Sequence, residues 1–80
     1  MTEERRREFV KKAKAVGEDS KVGIRTARHK AMEEIRKGVK NGLPEDIGKK
    51  SEDDIQQLTN KFVEKTDRVI DQKEKEIMTV

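Results

Sequence analysis

The chain has 80 residues, 46% of them charged and 30% hydrophobic, and its 20 basic residues face 17 acidic ones for a net charge of +3. That length excludes a multidomain protein, and high total charge with low net charge suits solvated helices better than a self-repelling disordered tail. One Pro, five Gly and no Cys exclude collagen-like and loop-dominated folds, a disulfide framework and a thiolate zinc site.

The first predicted element runs from about residue 2 to about residue 40. Thr2 is a suitable N-cap, and Glu3 and Glu4 complement the positive end of a helix dipole. Met1-Thr2-Glu3-Glu4 does not have the basic-then-apolar order of a signal peptide. Apolar or small residues recur at Phe9, Val10, Ala13, Val16, Gly17, Ser20, Ile24, Ala27, Ala31 and Ile35, in steps of almost always three or four. That is helix period and not strand alternation. Gly17 and Gly23 lie inside, each costing about 1 kcal/mol relative to Ala, so either the helix tolerates them or a neighbour approaches closely there.

Asn41-Gly42-Leu43-Pro44 is the one strong break. Asn-Gly holds left-handed backbone angles, and Pro begins a helix well but cannot continue one. A second helix is predicted from about residue 45 to about residue 78, with Ser51 followed by Glu52, Asp53 and Asp54 as another possible start or bend. Its main apolar stripe is Ile55, Leu58, Phe62, Thr66 and Val69, and a second row of Val63, Ile70 and Ile77 lies beside it. Two adjacent rows form a face too wide for one partner helix. The expected fold is therefore all-α: a long antiparallel helical hairpin, two helices of a three-helix bundle whose third helix comes from elsewhere in a longer protein or from a second copy. No apolar run approaches the ~18 residues of a membrane span.

Charge is unevenly divided. Residues 1–42 hold 13 basic and 7 acidic residues, and residues 43–80 hold 7 and 10. Arg7, Lys14, Lys21 and Arg28 recur at spacing seven, with Arg25 and Arg36 beside them and His29 adjoining. A basic stripe on a rigid helix is an electrostatic footprint for nucleic acid, although Lys and Arg stems also cover the edges of bundles. The two aromatic residues, Phe9 and Phe62, fall on apolar faces, so the expected target is a folded RNA or DNA surface read through shape and phosphate. His29 has only Glu33 at i+4 as a potential co-ligand, which is a poor metal site. The acidic pairs Asp53-Asp54, Glu64/Asp67 and Asp71/Glu74 lie on a charged helix with no pocket to shift their pKa values. There is no Gly-rich phosphate loop and no Ser or Cys in a nucleophile context. Neither enzymatic activity nor a cofactor is expected.

Four stretches resemble one family. Thr2-Glu3-Glu4-Arg5-Arg6-Arg7-Glu8-Phe9-Val10 resembles the opening of the long second helix of ribosome recycling factors. Lys21-Val22-Gly23-Ile24-Arg25-Thr26-Ala27-Arg28 resembles that helix's arginine-bearing motif. Glu45-Asp46, followed by Asp54-Ile55-Gln56-Gln57-Leu58-Thr59-Asn60, is similar to the start of the third helix, and Lys73-Glu74-Lys75-Glu76-Ile77-Met78-Thr79-Val80 to its end. The resemblance implies an L-shaped protein with a three-helix bundle and an inserted β domain. Such a protein acts with elongation factor G after termination to split the ribosome and binds large-subunit ribosomal RNA. The resemblance maps the family's paired arginines onto Arg25 and Arg28, and Lys21, His29, Arg7, Lys14 and Arg36 of the basic row and beside it are expected as neighbouring RNA contacts. His29 stands where the family usually carries Arg, Lys30 where it carries Asp, and Met32 where it carries Asn. The first helix and the β domain have no counterpart here, so a fragment is expected. The expected compartment is the cytoplasm, with a mitochondrial or plastid matrix as the alternative. A helical-hairpin interaction module or a self-associating coiled coil is the competing expectation.

Overall fold

A computed structural model describes residues 2–79; Met1, and Val80 at the end of the fourth stretch, lie outside the described residues. The described chain is two long helices, α1 (Glu3–Lys40) and α2 (Glu45–Thr79), folded back on each other. It forms a rod with principal extents of 61 × 15 × 7 Å. The 38 residues of α1 at about 1.5 Å each account for the length.

The ends of α1 form as their residues dictate. Thr2 is extended and its hydroxyl accepts the backbone N–H of Arg5 at 3.2 Å. At the other end Gly42 takes φ of 114°, which only glycine adopts without strain. Gly42 N–H then bonds the Val39 carbonyl at 3.2 Å, and Leu43 N–H bonds the Gly38 carbonyl at 2.9 Å. This is the two-bond Schellman closure, with Leu43 folded over Gly38. Pro44 gives its carbonyl to Gly48 N–H at 3.0 Å, and α2 begins at the next residue. No break occurs at Ser51, which lies within α2.

Glycines set the two closest approaches. A Cβ on Gly48 would lie 2.6 Å from a methyl of Val39, and one on Gly17 would lie 2.8 Å from Ile70 Cγ1. Gly23 has nothing within 4 Å. Gly17 thus admits a neighbour from α2, and Gly23 is merely tolerated.

The helix contact uses one of the two apolar rows of α2. Val63, Ile70 and Ile77 are half-buried against α1, with Thr59 and Thr66 completing the line. Thr59 is the one described residue whose side chain is buried, and its hydroxyl donates to the Ile55 carbonyl at 2.8 Å. The other row stays open. Leu58 is 54% exposed, Phe62 49% and Val69 46%, and across the groove Val16 is 61% and Phe9 44%. No apolar side chain among the described residues is fully buried. The pair of helices therefore presents a long apolar groove on one side, lined in part by Ile24, Ala27, Ala31, Leu58 and Phe62.

Candidate nucleic-acid interface

The basic row runs along an edge of the helix pair, and Arg28 in it also borders the apolar groove. Lys21 is well enclosed, with only 15% of its side chain exposed. Its Nζ lies 2.9 Å from Asp67 on α2 and 2.9 Å from Glu18 one turn back. The hydrogen bond to Asp67, then that to Glu18, raises its pKa above the ordinary 10.5. Lys14 lies 3.9 Å from Glu74, and Arg36 lies 4.0 Å from Glu52. In each of these pairs the two residue numbers add to the same value, so the pairs mark one antiparallel register. Arg7 stays on its own helix, 3.8 Å from Glu3, and is largely exposed.

The row that α1 alone presents as a continuous basic stripe is thus interrupted, in the hairpin, by carboxylates from α2. The cause is its position. A row at spacing seven follows the edge of the helix contact, where the acidic half of the chain can reach it. Pairs of this kind at a protein surface add little to stability, but they neutralise charge.

Arg25 and Arg28 differ. They stand one turn apart at a shallow hollow shared with Gln56, Thr59, Asn60, Val63 and Glu64. Among the described residues no carboxylate reaches ion-pair distance of either. Arg28 is half-buried; its Nη1 donates to Gln56 Oε1 at 3.2 Å, and its Nη2 lies 3.4 Å from Nε2 of the exposed His29. Gln56 Nε2 in turn donates to Asn60 Oδ1 at 3.0 Å. Arg25 is exposed. Glu64, the one acid lining the hollow, has Arg68 at 3.6 Å. The site can therefore offer two unneutralised guanidinium groups to an anion such as a phosphate. Among the described residues no cluster of three metal-ligating side chains occurs, and no helix is long and apolar enough to cross a membrane.

The structure brings Arg25, Arg28 and His29 together and places Lys14, Lys21 and Arg36 along the same edge, each beside an acid. Gln56 and Asn60 join the cluster without being conspicuous in sequence. A signal exists for Asn60. Asn60, Asp67 and Glu74 recur at spacing seven on α2, mirroring Arg28, Lys21 and Lys14.

The family model for ribosome recycling factor matches residues 1–78. The chain belongs to the ribosome recycling factor family. It is 49% identical over 80 residues to the ribosome-recycling factor of Christiangramia forsetii, covering all of this chain and 42% of the relative. It is 47% identical over 81 residues to that of Porphyromonas gingivalis, covering all of this chain and 44% of the relative. A third relative, from Flavobacterium johnsoniae, is 48% identical over 80 residues, covering all of this chain and 43% of the relative. The chain spans less than half the length of these curated relatives. No solved structure matches it. The all-α hairpin is consistent with the helical bundle part of a recycling factor, as the resemblance implied.

Proposed function

We propose that this chain is the two-helix part of a recycling factor's bundle and that it docks on large-subunit ribosomal RNA through Arg25 and Arg28. His29, Lys21, Arg7, Lys14 and Arg36 contribute a weaker, partly neutralised field around them. The observation that carries this reading is the pair of arginines left without carboxylate partners on an edge where neighbouring cations have them. The factor is non-enzymatic and works in the compartment that holds its ribosomes, the cytoplasm in a bacterium. A stiff helical rod seated on RNA transmits force delivered by elongation factor G, and subunit contacts break as the rod is pushed. That step draws on the rest of the factor, including a third helix laid in the apolar groove.

Co-sedimentation with large ribosomal subunits tests the site. Arg28→Ala is expected to weaken binding about tenfold, the scale of one lost charge-assisted contact. Lys12→Ala serves as the control, because Lys12 lies over the Phe9 ring, 5.8 Å from its centroid, away from the hollow; it should change affinity little. Equal affinities for the two variants would refute the assignment.

The half-exposed row of Leu58, Phe62 and Val69 favours a second reading, a hairpin that engages a partner protein or another copy through its groove. Leu58→Lys separates the two. A groove-docking module loses its partner or its concentration-dependent association, whereas an RNA binder keeps its RNA.

A further inference from the structure

Four side chains of α1 reach across one edge towards α2. Three meet carboxylates: Lys14 meets Glu74, Lys21 meets Asp67 and Arg36 meets Glu52. The fourth, Arg28, meets an amide, Gln56 Oε1 at 3.2 Å. The register that pairs the first two residues with acids places Asn60 opposite Arg28, and Asn60 accepts from Gln56 Nε2 at 3.0 Å. The direction of the chain follows from chemistry. A guanidinium can only donate, so the amide oxygen must face Arg28 and the amide nitrogen must face Asn60.

The substitution of amide for carboxylate has a specific consequence. A carboxylate opposite a guanidinium cancels its charge and can occupy two of its N–H groups at once. A carboxamide oxygen carries no net charge and here takes a single N–H. It fixes the plane of a long side chain, which otherwise loses rotamer freedom on binding, and leaves the charge and the remaining donors available. Taking Arg28 as an RNA contact, as proposed above, we infer that Gln56 is a positioning residue. It reaches over from the second helix to hold the Arg28 guanidinium in place without neutralising it, and Asn60 orients the amide that does so.

Three variants of the full 80-residue chain test this against large ribosomal subunits over a range of salt. Gln56→Glu keeps the shape and supplies a carboxylate. It is expected to weaken binding about tenfold at low salt and to make the plot of log affinity against log salt shallower by about 0.7–0.9, one phosphate's worth. Gln57→Glu makes the same charge change on a neighbouring exposed residue and should leave the slope as it is. Gln56→Met removes the acceptor but not the arginine's charge, so affinity should fall about threefold, a fraction of the loss of a charged hydrogen bond, while the slope is retained. Helicity by circular dichroism accompanies each variant; should Gln56→Glu lose helicity, Gln56→Met decides, and wild-type affinity for it overturns the inference. If Gln56→Glu matches Gln57→Glu in both affinity and slope while Arg28→Ala still weakens binding, Gln56 has no positioning role and the RNA-binding reading survives. If Arg28→Ala binds like the wild type, the RNA-binding reading fails and takes this inference with it.

Discussion

The ammonium of Lys21 sits 2.9 Å from the carboxylate of Asp67 across the helix pair, and Glu18 holds it from below at the same distance. These contacts raise the lysine's pKa above 10.5. A raised pKa in the folded state means that the stabilisation is complete below the unfolded value and disappears as pH climbs through the folded one. Lys21→Met should therefore destabilise the hairpin by a constant amount from neutral pH to about pH 10, and the difference from wild type should shrink above that. Thermal melts followed by circular dichroism across the alkaline range measure it. A difference that already closes near neutrality would show that the ion pairs are not its source.

Gly17 and Gly23 of α1 should respond oppositely to alanine. At Gly17 the added methyl meets Ile70 Cγ1 at 2.8 Å, near the root of a branched side chain that cannot swing clear. Overpacking of this kind costs about 1–3 kcal/mol. At Gly23 the space is open, and the gain in helix propensity is about 0.8–1.0 kcal/mol. Urea unfolding of the two variants gives both signs; a loss at both positions would mean that a neighbour also approaches Gly23.

Gly42 closes α1 with φ of 114°, a region that side chains with a Cβ enter only with strain. Gly42→Ala is expected to cost about 1–2 kcal/mol, the penalty for a non-glycine residue on the left-handed side. The loss should appear in the midpoint of denaturation with m unchanged. An unaltered midpoint would indicate that the Schellman closure does not hold the turn.

Apolar side chains should rank by position and not by size. Ile70 is half-buried and packs on Gly17, whereas Phe62 is 49% exposed in the groove. Ile70→Ala should cost more than Phe62→Ala, and both should fall short of the ~2–5 and ~3–5 kcal/mol of a fully buried isoleucine and phenylalanine. Equilibrium unfolding at low protein concentration decides the order. A larger loss at Phe62 would mean that the groove is already covered, by another copy of the chain.

Much of this was legible before any coordinates. The two helices follow from apolar steps of three and four, from Thr2 as a cap and from Asn41-Gly42 as a stop, all of which act within a few residues. The arginine pair was equally visible, since Arg25 and Arg28 lie a single turn apart on one helix. The fate of the cations around them was not. Whether Lys14, Lys21 and Arg36 face solvent or an acid depends on which residues of α2 slide beside them, and Gly48 and Gly17 fix that register through contacts with Val39 and Ile70.

By itself, then, the sequence determined two amphipathic rods, the turn between them and an excess of apolar surface over what one partner can cover. Only the tertiary structure decided which apolar row is spent on the hairpin, which is left facing the groove, and which cations keep their charge. The physical reason is range. Periodicity and capping are settled among near neighbours along the chain, whereas neutralisation of a lysine by an aspartate 46 positions away requires the chain to have already folded back on itself.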